Sequence, residues 1–372
     1  MKHTKSKRAV PRVEREPALF AHYPELKGRI PWIALGSFPT RVHRLAHLGH
    51  GGLWIKREDE SSPLYGGNKV RKLEFTLADA MRQGKTRVVT MGGVGTNHGL
   101  ATAVFCNHLG LECTLLLFKQ PVTRYVRQNL LLFHKYGARL AYKKSILQTG
   151  IAFYTTERLF GNNSYFLYAG GSSPLGTLGS LSALFELKQQ IDEGRIPLPR
   201  YIFCPLGSNG TMAGLSLGVL LAGLETTVIG VRVGVERIGP MGIASEEKLR
   251  ALMRQTHLLL KRHARSVPDV DIPPQRIIHD YFGGGYGFPT EKCIEAMELM
   301  RKKERIRLDP TYTAKTFAAV LDFARDPSRK NDTILYWHTY NSVDLSKEAR
   351  TLDYRSLPEE LHWVFREEEI PL

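Results

Sequence analysis

The chain has 372 residues, of which 42% are hydrophobic and 24% are charged, close to the composition of an ordinary globular protein. This composition excludes collagen, coiled coil and wholesale disorder, and at roughly 150 residues per domain the length allows two or three domains. The 52 Lys and Arg residues exceed the 36 Asp and Glu residues, so the net charge is +16, a feature shared with nucleic-acid-binding proteins. No apolar run reaches the ~20 residues that a membrane-spanning helix needs, so we expect no membrane partner.

Two segments carry much of the positive charge. The first lies within a basic tail and lead-in, residues 1–30, whose first 16 residues contain six cations against Glu14 and Glu16. No apolar segment follows these charges as in a secretory signal, so we expect a cytoplasmic protein. The second is residues 248–265, whose amphipathic pattern predicts a helix with a basic face. Neither the 16-residue tail nor this helix has aromatic side chains for base stacking. Nucleic acid or another polyanion therefore stays a possible partner that no motif of the sequence supports.

From about residue 86 onward, short β-branched runs alternate with longer amphipathic segments, which is typical of βαβ units and a parallel sheet. The predicted strands are residues 86–91, 113–118, 138–142, 165–168, 201–204, 227–233, 277–281 and 333–337. A helix is predicted over residues 290–303, because Cys293, Met297 and Met300 form one apolar stripe after Pro289. The fold class is therefore α/β.

The chain is expected to divide into two domains, with the glycine-rich residues 65–68 and the proline-rich residues 196–200 as the crossings. We predict a large domain formed by residues 31–71 and 187–372. A smaller α/β domain, residues 72–186, is inserted between these two parts. A cleft between two such domains is a common place for a ligand to bind.

The cysteines predict core thiols rather than a disulfide or a metal site. Each lies in an apolar stretch, and they show neither CxxC nor Cys/His ligand spacing. They are Cys106, Cys113, Cys204 and Cys293.

A glycine-rich loop follows the predicted strand at residues 201–204. In the sequence CPLGSNGTMAGL, backbone N–H groups and two hydroxyls meet at the positive end of a helix, an arrangement that binds phosphate. The loop residues are Gly207, Ser208, Asn209, Gly210 and Thr211. Such turns also serve close packing, and this one matches neither a Walker loop nor a Rossmann fingerprint, so both interpretations stay open here.

Lys69 lies in a second unusual segment, KREDESSPLYGGNKVRKLE, residues 56–74. Two glycines and an asparagine precede it, and the cations Arg71 and Lys72 follow it. Neighbouring cations and burial both lower the pKa of a lysine and make its amine a better nucleophile towards an aldehyde. Lys69 is therefore a candidate Schiff-base lysine, with a surface loop lysine as the alternative from this segment alone.

Six segments, taken together in chain order, resemble one known family. They are LGSFPTRVHRL (35–45), KRED with GGNKVRKLE (56–74), GGVGTNH (92–98), GGSSPLGTLG (170–179), GSNGTMAGL (207–215) and LDPTYTAK (308–315). These motifs resemble the 1-aminocyclopropane-1-carboxylate deaminase and D-cysteine desulfhydrase family, whose members use pyridoxal 5'-phosphate. The resemblance spans residues 30 to 340 and implies the tryptophan synthase β-like fold, fold type II, with two open twisted, mostly parallel sheets flanked by helices. It also implies a homodimer.

The resemblance implies a role for each cofactor-binding residue. Lys69 would bind the cofactor aldehyde, Lys72 would add charge near the phosphate, and the loop at residues 207–211 would hold that phosphate. Asn97 would hydrogen-bond the phenolic oxygen of the cofactor. Thr313 occupies the position that approaches the pyridine nitrogen.

Five residues would face the substrate by the same resemblance. Thr96 and His98 would lie beside the substrate carboxylate at the start of a helix, where N–H groups favour an anion, and Asn97 would lie between them on the substrate side. Tyr286 and Tyr312 match the two tyrosines that face the substrate in this family. Lys69, Thr96, Tyr286 and Tyr312 are therefore the predicted catalytic residues.

The sequence departs from the family pattern at three places. Thr96 replaces the usual Ser and adds a methyl group that narrows the substrate side. Thr313 stands where the cyclopropane deaminases carry Glu, and a neutral hydroxyl cannot hold the pyridine ring protonated, which favours elimination. Tyr340 and Asn341 replace a Gly-Gly turn and add bulk beside the cofactor.

These features predict a pyridoxal-phosphate lyase that acts on a small amino acid. The best single prediction is conversion of D-cysteine to pyruvate, ammonia and hydrogen sulfide. The first alternative is deamination of 1-aminocyclopropane-1-carboxylate to 2-oxobutanoate and ammonia. The second is a catalytically degenerate family member that binds a polyanion through residues 248–265 and the tail.

Overall fold

The computed structural model describes residues 16–160, 162–239 and 241–371 of the chain. The helices are α1 (Ala18–His22), α2 (Lys69–Arg82), α3 (Asn97–Leu109), α4 (Arg124–Lys135), α5 (Ile146–Phe160), α6 (Pro174–Asp192), α7 (Gly210–Leu221), α8 (Glu246–His263), α9 (Glu291–Lys303), α10 (Thr313–Ala324), α11 (Ser346–Arg350) and α12 (Trp363–Arg366). The strands are β1 (Val42–Arg44), β2 (Leu53–Arg57), β3 (Arg87–Gly93), β4 (Glu112–Phe118), β5 (Ala138–Lys143), β6 (Ser164–Phe166), β7 (Tyr201–Leu206), β8 (Thr227–Arg232), β9 (Arg237–Ile238), β10 (Met241–Gly242), β11 (Arg276–Ile278) and β12 (Ile334–His338).

Two open sheets dominate the described part of the chain. The larger sheet has the strand order β1-β2-β12-β7-β8-β11 and is parallel except for the edge pair β1 and β2. The smaller sheet has the order β5-β4-β3-β6 and is parallel throughout. The α/β class is confirmed, and each predicted strand overlaps an observed one. The sequence did not predict β1, β2, β9 and β10.

Helices cover both faces of each sheet. On one face of the larger sheet, α1, α6, α7 and α8 share a core with Ile202 and Leu206 of β7. On the other face, α9 and α10 pack against Phe203 of β7 and Ile229 of β8. In the smaller sheet, α3 and α4 lie on one face, and α5 contributes Phe153 on the other. Because parallel sheets need this double cover, the arrangement explains why the strands read as continuous apolar runs.

The four cysteines are buried and none forms a disulfide. They belong to three separate core clusters, where each thiol packs as a small hydrophobic group. Their predicted role as core residues is confirmed.

The predicted domain boundaries fall inside two helices. The boundary at residues 71 and 72 cuts α2, and the boundary at 186 and 187 cuts the continuous helix α6. All strands of the smaller sheet nevertheless lie between residues 87 and 166, within the predicted insertion. The division into domains at those residues stays a prediction.

The second basic segment forms most of α8. Its apolar side buries Leu249, Leu252, Met253 and Leu260. Most of its cations are exposed, whereas Arg250 is half-buried and donates to Ile272 O at 2.8 Å. The basic tail lies outside the described residues. Within residues 16–160, 162–239 and 241–371, no helix is both long enough and apolar enough to cross a bilayer.

Candidate active site

A cavity of about 800 Å³ opens where the carboxyl ends of strands from both sheets converge. Residues at or after the ends of β3, β4, β7 and β12 line it, as do the start of α2 and the turn before α10. Open α/β sheets bind ligands at this edge. Among the described residues, the basic and acidic side chains that line the cavity are Lys69, His98, Lys119 and Asp309.

Lys69 is the first residue of α2 and reaches into this cavity. Burial lowers the pKa of Lys69 to about 8, although the Asp309 carboxylate opposes that shift. The structure shows no hydrogen bond from the described residues to its amine, whereas the other buried lysines, Lys56, Lys72 and Lys315, each donate to protein oxygens. A lysine that faces a cavity without a partner, and with a lowered pKa, is suited to react with a carbonyl group.

The glycine-rich loop lies on the same cavity at the start of α7. Asn209 has φ +67°, which turns the chain sharply so that the helix begins at Gly210. The Ser208 hydroxyl lies 2.8 Å from the Ser172 hydroxyl, and Gly210 N–H donates to the same Ser172 oxygen at 3.2 Å. Thr211 accepts a hydrogen bond from the side chain of Asn68 at 2.7 Å. The loop thus presents N–H and hydroxyl groups at a positive helix end, as an anion site requires.

Lys72 lies beside this loop, one turn along α2 from Lys69. Its amine donates to Gly170 O at 3.1 Å, and a Cβ placed on Gly210 would lie 2.7 Å from it. Burial lowers the pKa of Lys72 well below its ordinary value, and the charge of Lys69 lowers it further. An anion bound at the loop would raise the pKa of Lys72 again, because a nearby negative charge favours the protonated amine.

The start of α3 forms a third wall with Thr96, Asn97 and His98. The Thr96 hydroxyl caps the helix by accepting from Gly99 N, and the Asn97 side-chain oxygen accepts from Asn129 at 3.1 Å. His98 Nε2 lies 3.0 Å from the Thr90 hydroxyl, while its Nδ1 is buried without a partner. Burial lowers the pKa of His98 well below 6.5, and the two lysines add to that shift, so the ring is neutral.

Tyr286 and Tyr312 meet on the opposite side of the cavity. Their hydroxyls are 2.6 Å apart. Burial raises the pKa of Tyr286 to about 12 and holds that of Tyr312 well above 10. The loop that carries Tyr286 is held by the amine of Lys315, which donates to Phe282 O at 2.5 Å.

Thr313 does not lie on the cavity. It is fully buried, and its hydroxyl donates to the Asp309 side chain at 2.7 Å. Asp309 also accepts from the backbone N–H groups of Thr311, Tyr312 and Thr313, and it is Asp309 that lines the cavity. This turn folds the Thr313 hydroxyl onto the Asp309 carboxylate. The predicted approach of Thr313 to the pyridine nitrogen of the cofactor stays a prediction.

Tyr340 and Asn341 line the cavity after the end of β12. Asn341 accepts from Gly66 N–H at 2.7 Å through its side-chain oxygen, which ties this segment to the loop before Lys69. Tyr340 is buried, and a Cβ added to Gly67 would lie 3.1 Å from its carbonyl oxygen. The predicted bulk beside the site is present.

Two residues of the site were missed from the sequence. Ser172 contacts the phosphate-type loop, and Asp309 is the acidic group of the cavity. Both stand inside segments that carried the resemblance, GGSSPLGTLG and LDPTYTAK, so their position in those motifs was the available signal. The other predicted site residues converge on this cavity, and Lys72 and Gly210 lie just behind its wall.

The sequence of residues 33–339 matches the model of the family described as pyridoxal-phosphate dependent enzyme. The chain belongs to that family. It is thus an enzyme that depends on pyridoxal 5'-phosphate, and its two sheets are those of fold type II. The cavity suits this cofactor, because it combines a partner-free amine for the aldehyde with a loop of N–H donors for the phosphate.

Individual relatives narrow the family further. The chain is 31% identical over 322 residues to a D-cysteine desulfhydrase of Serratia proteamaculans, covering 84% of this chain and 94% of that protein. It is also 31% identical over 329 residues to a putative 1-aminocyclopropane-1-carboxylate deaminase of Thermotoga maritima, covering 86% and 99%. The crystal structure of a homologue of 1-aminocyclopropane-1-carboxylate (ACC) deaminase superposes on this chain with a TM-score of 0.73 at 27% identity, covering 91% of this chain and all of that one. The chain is therefore a member of the D-cysteine desulfhydrase and ACC deaminase group.

Proposed function

We propose that the protein is a lyase that eliminates a leaving group from Cβ of a small amino acid, with D-cysteine as its substrate. The products are pyruvate, ammonia and hydrogen sulfide. The observation that carries this proposal is the amine of Lys69, which lines the cavity, has no hydrogen-bond partner among the described residues and shares the cavity with the loop at residues 207–211. The name of the Serratia relative supports the choice of D-cysteine.

Lys69 has two tasks in this proposal. Its amine binds the cofactor aldehyde, and once the substrate amine has displaced it, the free Nζ accepts the proton from Cα. A pKa of about 8 leaves an appreciable neutral fraction near neutral pH, which both tasks need. The bound cofactor supplies an electron sink for the resulting charge.

The loop at residues 207–211 holds the cofactor phosphate in this proposal, and Ser172 and Lys72 support it. The N–H groups at the start of α7 and the hydroxyls of Ser208 and Thr211 supply the donors. Lys72 supplies the nearest positive charge behind the loop. Asn97 is assigned to the phenolic oxygen of the cofactor, since it lies at the start of α3 on the same cavity.

The substrate carboxylate is assigned to the start of α3. The first backbone N–H groups of that helix lack helical partners, and they favour an anion. The Thr96 hydroxyl adds a polar group that can donate at the same place. The Thr90 hydroxyl donates to Leu167 O and therefore accepts from His98 Nε2, so the neutral ring carries its proton on Nε2 and offers only an acceptor at Nδ1. His98 therefore borders the carboxylate without donating to it.

The tyrosine pair favours elimination of sulfide over ring opening. Opening a cyclopropane ring leaves a carbanion, which needs a proton from a nearby acid. Tyr286 and Tyr312 have raised pKa values and hold their protons tightly, so they are weak acids at neutral pH. A sulfur leaving group needs less help, since a thiol has a pKa near 8.5. This argument adds to the one from Thr313, which stands where the cyclopropane deaminases carry Glu.

The second candidate is deamination of 1-aminocyclopropane-1-carboxylate to 2-oxobutanoate and ammonia. The names of the Thermotoga relative and of the superposed structure favour it. The same residues would serve this reaction, with one of the two tyrosines giving up its proton.

One experiment separates the two candidates. The purified holoenzyme is incubated with D-cysteine, L-cysteine, β-chloro-D-alanine and 1-aminocyclopropane-1-carboxylate, and release of 2-oxo acid is measured. We expect pyruvate from the first and third compounds and little 2-oxobutanoate from the fourth. Faster turnover of the cyclopropane substrate would give the deaminase first place.

A variant shows that the turnover belongs to this site. Lys69→Ala is expected to abolish release of 2-oxo acid, because Lys69 supplies the amine for the cofactor aldehyde and the base for Cα, while Lys119, the other lysine on the cavity, is paired with Glu367. Lys347→Ala, on the exposed side of α11, is the matched control and should keep full activity. Turnover that survives in Lys69→Ala would place the reaction elsewhere.

The homodimer implied by the resemblance is also a proposal. Sedimentation equilibrium of the purified protein would test it, with a mass near 84 kDa expected from two chains of 42.0 kDa.

A further inference from the structure

The mouth of the cavity carries an unusual set of exposed apolar side chains. In the described part of the chain, eight large hydrophobic residues are exposed, and four of them line this cavity. They are Leu147, Ile151, Tyr154 and Phe288, with exposures of 58%, 57%, 47% and 43%. Exposed apolar side chains that cluster in one patch indicate a binding site, whereas single ones scattered over a surface do not.

Three of these side chains form one stripe on a helix. Leu147, Ile151 and Tyr154 are spaced i, i+4 and i+7 on α5, so they point to the same side, while Phe153 packs inward against the smaller sheet. Phe288 closes the ring from the loop that carries Tyr286. We call these four residues the apolar rim.

The apolar rim lacks charged groups. Of the basic and acidic side chains that line the described cavity, Lys69 is half-buried, His98 and Asp309 are buried, and the exposed Lys119 is paired with Glu367 at 3.2 Å. The rim is continuous with the candidate active site, since the same cavity contains Lys69 and the tyrosine pair. Its occupant is therefore an uncharged, apolar extension of the substrate.

The cavity is large for the small substrate. Its volume of about 800 Å³ is near the upper end of the ~300–1,000 Å³ that holds drug-sized ligands. D-Cysteine has only a thiol beyond Cβ and cannot reach residues that are exposed at the mouth. A group attached to the sulfur extends from the reacting carbon towards open space.

We propose that the apolar rim binds the aromatic group of an S-aryl-cysteine, so that the enzyme also cleaves uncharged aryl thioethers of cysteine. The inference rests on the proposed elimination. The Cβ–S bond breaks with its electron pair on sulfur, the Cα proton passes to Lys69, and one water completes the products. S-Phenyl-D-cysteine and water give thiophenol, pyruvate and ammonia, without an oxidant or reductant.

The test measures binding to the apolar rim with two amino acids that cannot undergo the elimination. D-Homophenylalanine carries a phenyl ring on a CH₂ group in place of the sulfur and has no leaving group, while D-2-aminobutyrate is the same molecule without the ring. Each is titrated into the holoenzyme, and the change in cofactor absorption gives a Kd. We expect D-homophenylalanine to bind at least about tenfold more tightly, as burial of a phenyl ring predicts.

Two variants locate the binding. Leu147→Asp places a charge on the rim, and Leu258→Asp makes the same change on α8, where Leu258 is 54% exposed and does not line the cavity. The ratio of the two Kd values should fall by about tenfold or more in Leu147→Asp and stay at the unmodified ratio in Leu258→Asp. Ile151→Asp provides a second rim variant if Leu147→Asp does not fold.

Three results would overturn the proposal. Equal affinity for the two amino acids means that the rim does not hold the ring. Weaker binding of D-homophenylalanine means that α5 closes over the mouth instead. A dimer that dissociates in Leu147→Asp but not in Leu258→Asp assigns the rim to a second copy of the chain. If D-cysteine gives no pyruvate but D-homophenylalanine still binds more tightly than D-2-aminobutyrate, the proposed elimination is wrong, while the apolar rim is still the site that binds the ring.

Discussion

Lys69 differs from the buried lysines Lys56, Lys72 and Lys315, because no described residue forms a hydrogen bond with its amine. Lys56 forms an ion pair with Glu186 at 2.5 Å and donates to the side-chain oxygen of Gln190, and Lys315 donates to backbone carbonyls. Lys69 faces open space instead, with Asp309 as the charge that opposes its loss of a proton. The free amine is therefore available for covalent chemistry at a pH where an ordinary lysine is fully protonated.

This environment predicts how cofactor loading depends on pH. Only the neutral amine attacks an aldehyde, and the neutral fraction rises as the pH passes the pKa. With a pKa of about 8, roughly a tenth of Lys69 is neutral at pH 7, against about one part in three thousand for a pKa of 10.5. The rate at which apo-protein takes up pyridoxal phosphate, followed by absorbance, should rise with pH and level off above about 8. A midpoint near 10.5 would show that burial does not tune this amine.

Thr313 gives a second prediction at the scale of one residue. Its hydroxyl donates a buried hydrogen bond to the carboxylate of Asp309, so Thr313→Val should lower the free energy of unfolding by about 1.5–3 kcal/mol. Thr256→Val is the matched control, because that buried hydroxyl donates to the neutral carbonyl of Leu252, and its loss should cost about 0.5–1.5 kcal/mol. Urea denaturation of the apo-proteins measures both. Unchanged stability with a weakened cofactor Kd would instead indicate direct contact between Thr313 and the cofactor.

Strand β2 shows why a single element could escape prediction. Its sequence LWIKR ends in two cations, which are typical of a surface, yet Lys56 is fully buried between β2 and α6. Its charge is balanced by Glu186, which also pairs with Arg71 at 2.9 Å. The partner lies 130 residues away along the chain, so no local pattern could reveal that this strand is internal.

The loop at residues 207–211 was predicted because its chemistry is local. One short segment encodes the consecutive N–H groups, the glycine at the first position of α7 and the helix that follows. Ser172 was not predicted, since it approaches that loop from a different segment.

Gly210 tests the loop as an element. A Cβ at this position would lie 2.6 Å from the Ser172 hydroxyl and 2.7 Å from the Lys72 amine, so both groups must move away from the loop. Gly210→Ala should therefore weaken pyridoxal phosphate binding by roughly tenfold or more, the effect of about one hydrogen bond to a charged group. Gly51→Ala, where a Cβ meets nothing within 4 Å, is the control and should bind normally. Equal Kd values for the two variants would show that the phosphate lies elsewhere.

At the scale of the whole molecule, α2 connects the two cores. Phe75 packs into the core of the larger sheet, while Val70, Leu73 and Leu77 pack into that of the smaller sheet. The first residue of this helix is Lys69, so its amine is fixed relative to both sheets and to the cavity between them. A boundary drawn from sequence at residue 71 cuts this helix because the glycines before it resemble a linker.

The sequence predicted the α/β class, the parallel strands and most of the site, because β-branched runs and glycine motifs are local signals. It could not predict the apolar rim or the position of Asp309. Exposure of Leu147 and Phe288 depends on how distant segments surround the mouth, and the orientation of Thr313 depends on the turn that Asp309 closes. These features arise only when the chain is folded.

The central claim is that Lys69, in this cavity, is the residue that binds pyridoxal phosphate. Reduction of the holoenzyme with borohydride fixes the cofactor to its lysine, and mass spectrometry of the proteolytic peptides identifies that residue. Lys72 is the informative competitor, since it is buried one turn away and burial also lowers its pKa. We predict the reduced adduct on Lys69 alone; an adduct on Lys72 or on any other lysine would contradict the account.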